Sequence, residues 1–135
     1  MLSDIQEGSS LRRELGEIRV LVAFEDDYRL YQAVIVSAIR ISRPHIEVAT
    51  AGLGTLTEEM ARFDPQVVVC SRPNTLDPTG ERAWVELSLD SVYPARVYLA
   101  GRYSERSRLP ALETLLAVID EAEEIVRTKM RLQSR

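Results

Sequence analysis

The chain has 135 residues, 45% of them hydrophobic and 28% charged, which suits a single domain able to bury a real core. A formal net charge of −4 argues against a dedicated nucleic-acid binder, whose footprint is basic. One Cys and one His exclude an intrachain disulfide framework, a cysteine zinc site and a histidine-rich metal centre. No apolar run approaches the roughly 18 residues of a membrane span. The N-terminus lacks the basic-then-apolar order of a secretory signal, so a cytoplasmic protein with no membrane partner is expected.

Residues 1–16 are polar and charged, with Gly8-Ser9-Ser10 as a break. They read as a flexible lead or a short helix around Leu11 to Leu15. Ile18 to Phe24 is short, β-branched and apolar, and it stops at Glu25-Asp26-Asp27, as a buried strand ending in an acidic loop does. From Tyr28 to Arg43 the positions Leu30, Val34, Ala38 and Ile41 recur at helical spacing. Asp27 is the expected N-cap, and Arg43-Pro44 the stop. Ile46 to Ala49 reads as a second strand. Leu56, Met60 and Phe63 share a helical face that Thr55 opens and Asp64-Pro65 closes. Val67-Val68-Val69-Cys70 is the clearest buried strand. The order β-α-β-α-β predicts parallel strands with right-handed crossovers.

Trp84 to Asp90 alternates Val85, Leu87 and Leu89 with Glu86, Ser88 and Asp90, which predicts a half-buried strand. Arg96 to Gly101 is a further strand, and the pair reads as an antiparallel hairpin. After Leu109-Pro110 a long helix carries the stripe Leu112, Leu115, Leu116, Ile119, Ala122 and Val126. Arg127 to Arg135 ends the chain with bases and no acid, which suits a helix C-terminus. Three segments follow: a lead over 1–16, a domain over 17–126 and a basic helix end over 127–135.

Phe24-Glu25-Asp26-Asp27 and Asp64-Pro65-Gln66-Val67-Val68-Val69-Cys70 resemble the first and third strands of a response-regulator receiver domain, over Ile18 to about Pro73. The resemblance implies an α/β, flavodoxin-like parallel sheet in a three-layer sandwich. In this chain the third helix is replaced by the β-hairpin, and a long C-terminal helix is added. The family's phosphoacceptor Asp aligns with Ser71 and its fourth-strand Ser/Thr with Ala100. Its Lys-Pro pair has no counterpart, and Gly101 to Pro110 leaves no room for both a fourth helix and a fifth strand. With no Asp at that position aspartyl phosphorylation there is not expected, and since a serine hydroxyl is a weak nucleophile without an adjacent base, autophosphorylation at Ser71 is not expected either. Glu25, Asp26, Ser71 and Ala100 then form a degenerate acidic pocket. Glu25 and Asp26 could hold at most a weak Mg²⁺; otherwise no cofactor is expected.

The Ser71 to Thr75 loop lacks the glycine spacing of a phosphate cradle, and Gly52-Leu53-Gly54 is equally weak. Cys70 continues an apolar run and reads as a small buried hydrophobe. No nucleophile–base pair stands at credible spacing, so catalysis is not expected. Trp84, as an interface anchor, and Leu115, Ile119, Val126 and Met130, as a helix stripe longer than a small sheet covers, point to a protein partner or a homodimer. The expected function is an atypical receiver-like signalling module acting by protein–protein interaction. The alternative is a small flavodoxin-like domain binding a metabolite or nucleotide beyond the strand carboxyl ends.

Overall fold

β1 (Arg19–Phe24) has every residue buried, because it lies inside the sheet with both faces covered. The computed structural model describes residues 18–71, 82–87, 95–106 and 111–133. β1 pairs in parallel with β2 (Glu47–Gly52) on one side and with β3 (Val67–Cys70) on the other. β4 (Ala83–Glu86) continues the parallel set beside β3, with Cys70 level with Glu86. β5 (Ala95–Leu99) and β6 (Arg102–Arg106) complete the sheet as antiparallel strands. The spatial order is β2-β1-β3-β4-β5-β6.

Alternation along β1 divides the core between two faces. Val20, Val22 and Phe24 pack under α1 (Arg29–Ser42) and α3 (Ala111–Gln133), which contribute Ile35, Val36, Ile39, Leu115, Val118 and Ile119. Leu21 and Ala23 face the other way, with Val68, Cys70 and Trp84, under the short α2 (Leu56–Phe63). The result is an α/β sandwich on a mixed, mostly parallel sheet.

The buried Arg19 joins β1 to α2. Its guanidinium donates to the Phe63 carbonyl at 2.9 Å and to the Asp64 carbonyl at 2.5 Å. Those carbonyls belong to the helix C-terminus, where no intrahelical donor remains. Asp64 stands there in the left-handed region, with φ of 50°, and its amide donates to the Met60 carbonyl at 3.0 Å. Arg82 reaches the Asp64 carboxylate from the other side at 3.2 Å.

Several expectations change. Asp27 does not cap α1; a 3₁₀ turn (Asp26–Tyr28) leads in, and the Tyr28 amide donates to the Glu25 carbonyl at 2.9 Å. Thr55 makes no capping hydrogen bond to α2. The expected hairpin exists as β4–β5, but β4 is interior and buried on both faces, Glu86 included, so it is not half-exposed. The segment from Gly101, read as too short for both a helix and a strand, holds one further strand, β6, which forms the sheet edge opposite β2. It follows β5 through a two-residue turn, Ala100-Gly101, with φ of 54° and 76°. Positive φ at both central positions is the type I′ requirement. β6 is rich in charge, as Arg-Tyr-Ser-Glu-Arg, which protects an open edge from pairing.

On α1 the correction is larger. Ile35, Val36 and Ile39 face the sheet, whereas Leu30, Val34 and Ile41 are 84%, 64% and 81% exposed. The expected stripe is the outward face. Residues 1–17, 72–81, 88–94, 107–110 and 134–135 lie outside the described residues, and with them the expected lead over 1–16 and the expected helix around Leu11 to Leu15.

Candidate functional site at the carboxyl end of the sheet

Parallel pairing brings the carboxyl ends of β1, β2, β3 and β4 to one end of the sheet, where such folds place their ligands. Glu25, Asp26 and Ser71 all lie there. Ser71 is not on an exposed loop: it is 8% exposed, and its Oγ accepts the Glu25 amide proton at 2.8 Å. Nearby, Gln32 Oε1 accepts the Phe24 amide at 2.8 Å. Two side chains from neighbouring elements thus fix the backbone where β1 turns into its acidic loop.

Ala100 does not join them. β5 runs antiparallel, so its end and the Ala100 turn lie at the opposite end of the sheet from Glu25. The antiparallel direction of β5 keeps that residue out of the pocket that the resemblance implied.

A cleft of about 450 Å³ opens between the ends of β1 and β2, bounded by Glu25, Asp26, Gln32, Thr50, Thr55 and Arg62. A neighbouring hollow of about 470 Å³ shares Glu25, Asp26, Gly52 and Thr55. The cations of this region stand beside its own acids. Arg62 bonds Glu59 at 2.5 Å, which raises the Arg62 pKa, and Arg29 lies 3.9 Å from Asp26. Paired arginines are less available to an incoming anion.

The residues present do not fit the divalent-ion pocket of a receiver. Glu25 and Asp26 supply carboxylates, but the third position is the neutral Ser71, whose hydroxyl oxygen already accepts a backbone proton. Among the described residues, no cluster of three or more His, Cys, Asp or Glu side chains could hold a metal ion. Ser71 has no histidine beside it either. His45, the one histidine of the chain, precedes β2 at the amino end, with Nε2 2.8 Å from Glu123 of α3.

The expected interface residues lie elsewhere than on an open surface. Trp84 is 2% exposed under α2, and Leu115 and Ile119 are fully buried under the first face of the sheet. Val126 packs half-buried against the same core. These four serve the chain's own interior. Met130, further along α3, is half-buried and outside both clusters.

Among the described residues, exposed large apolar side chains gather on α1, with Tyr103 and Leu132 standing singly elsewhere. Leu30, Val34, Ser37 and Ile41 are spaced four, three and four residues apart, which is the spacing of a coiled-coil seam. This seam lies opposite the buried Ile35–Ile39 face. A helix apolar on both sides has more apolar surface than one sheet can cover, and that excess was the sequence signal for the second face.

Comparisons with protein-family models, curated proteins and solved structures find no significant match. Among the described residues, no helix is long and apolar enough to cross a membrane.

Proposed function

We propose that this chain is a receiver-like, flavodoxin-related signalling module that works by binding protein, without aspartyl phosphorylation and without catalysis. The observation that carries this reading is the hydrogen bond from the Glu25 amide to Ser71 Oγ. The position that aligns with a phosphoacceptor holds a buried hydroxyl engaged in joining β3 to β1. The exposed seam of α1 supports a protein partner, since contiguous apolar surface of this kind marks an interaction site. The link to signalling rests on the receiver resemblance, which is an analogy of fold and motif. Incubation with Mg²⁺ and acetyl phosphate, followed by intact-mass measurement, tests the reading. The expected result is an unchanged mass; a stoichiometric phosphoryl adduct would restore a phosphorylation switch.

A second reading is favoured by the clefts at Glu25 and Gly52, which suit a small polar ligand at the strand ends. It predicts a rise in melting temperature with a nucleotide or metabolite. The pairing of Arg62 with Glu59 ranks it second.

A further inference from the structure

We infer that the partner of the α1 seam is a second copy of this chain, docked antiparallel through α1 about a two-fold axis. The inference rests on reading the chain as a protein-binding module. The first argument is the spacing. Leu30, Val34, Ser37 and Ile41 follow a 4-3-4 interval, which reads the same in either direction. An antiparallel copy therefore sets Leu30 against the partner's Ile41 and Val34 against the partner's Ser37, a large residue facing a small one. An isologous interface needs such self-complementarity.

Charge supplies the second argument. The 3₁₀ turn that leads into α1 carries the exposed Asp26 and Asp27, which outnumber the single exposed Arg29, 3.9 Å from Asp26, so this end stays net acidic. The carboxyl end is basic, with Arg40 and then Arg43. Arg40 is exposed and also donates to the Val48 carbonyl at 3.2 Å, and Arg43 is engaged by Asp120. Antiparallel docking brings acid to base at both ends, and it opposes the two helix dipoles favourably. Parallel docking would bring Asp26 and Asp27 onto their own copies and Arg40 onto its own, which like-charge repulsion disfavours.

The size of the seam sets the strength. The 14-residue helix is about 21 Å long. One face of it covers less than the roughly 800 Å² per partner of a stable complex, so the dimer is transient and populated only at high concentration.

Sedimentation velocity of the full chain over a wide concentration range tests this, together with a cysteine pair. The wild type should shift from monomer to dimer with concentration. Val34→Glu should weaken dimerisation by about tenfold or more, because it buries a charge in the seam. Its melting temperature should hold, since Val34 lies in solvent in the monomer. Mixed Leu30→Cys and Ile41→Cys chains should oxidise to the 30–41 heterodimer in preference to 30–30; the native Cys70 is buried. A wild type that stays monomeric at every concentration overturns the proposal. So does a preferred 30–30 crosslink, or a dimer that forms only after residues 1–16 are deleted, which would place that segment on the seam. These outcomes leave the mass test for phosphorylation untouched, so the failure of one idea is distinguishable from the failure of the other.

Discussion

Ser71 Oγ accepts the Glu25 amide proton at 2.8 Å, and so fastens the carboxyl end of β3 to the acidic loop that follows β1. Removing the acceptor leaves a part-buried N–H without its partner. Ser71→Ala should therefore cost about 1–2 kcal/mol, read as a lower urea midpoint at an unchanged m-value. An unaltered midpoint would mean that the contact has no structural weight.

Arg19 carries more. Its buried guanidinium serves two carbonyls at the end of α2 and lies 3.5 Å from the Asp64 carboxylate. Arg19→Met keeps the stem and removes the donors. A loss of about 2–4 kcal/mol is expected, with α2 exchanging its amides fastest. Stability equal to the wild type would show that the α2 carbonyls find other donors at no cost.

At the β5–β6 turn the φ of 54° at Ala100 falls where L-residues with a Cβ are strained. Asn and Gly tolerate that conformation, and type I′ turns favour them. Ala100→Asn or Ala100→Gly should stabilise the chain by about 0.5–1 kcal/mol. A drop in melting temperature for both would contradict the turn assignment.

Arg43 grips Asp120 with both of its arms at 2.7 Å, tying the end of α1 to α3. The Arg43 hydrogen bond holds the Asp120 carboxyl below the usual carboxylate range. A lowered folded value means that the pair stabilises the chain above about pH 4 and that this contribution fades as pH falls through the folded value. Both groups are partly solvated, so Asp120→Asn should cost about 0.5–1 kcal/mol at neutral pH. The gap from wild type should close in acid. A gap that stays constant down to pH 2 would point to shape rather than charge.

Leu115 separates the core from the surface on α3. It is fully buried, while Leu132 near the helix end is 67% exposed. Leu115→Ala should cost about 2–5 kcal/mol in the monomer itself, and Leu132→Ala almost nothing. If Leu115→Ala instead left stability intact and disrupted an assembly, the core assignment would be wrong.

The parallel half of the sheet was legible in the sequence because its strands are continuous apolar runs. Val67 to Cys70 stands where expected, and Arg43-Pro44 and Asp64-Pro65 do end their helices. The antiparallel half was less legible. Arg102 to Arg106 is polar because it is an edge, so it lacks the apolar signal of a strand. Glu86 alternates as though facing water, yet β3 and β5 flank its strand and both faces are covered. At the candidate site, the placing of Glu25, Asp26 and Ser71 together followed from strand order. Ala100 was misplaced by the family alignment, which needs a parallel strand there, although the hairpin pattern already made that strand antiparallel to its neighbour. On α1, two stripes share one helix, and periodicity alone does not say which of them the sheet takes.

Native mass spectrometry of the full chain, at low and high concentration and with or without Mg²⁺ and acetyl phosphate, separates a constitutive protein-binding module from a phosphorylation switch. A monomer–dimer distribution set by concentration alone, with the same masses in every sample, is the expected result. A species heavier by one phosphoryl group, or a dimer that forms only with the phosphodonor, would contradict it.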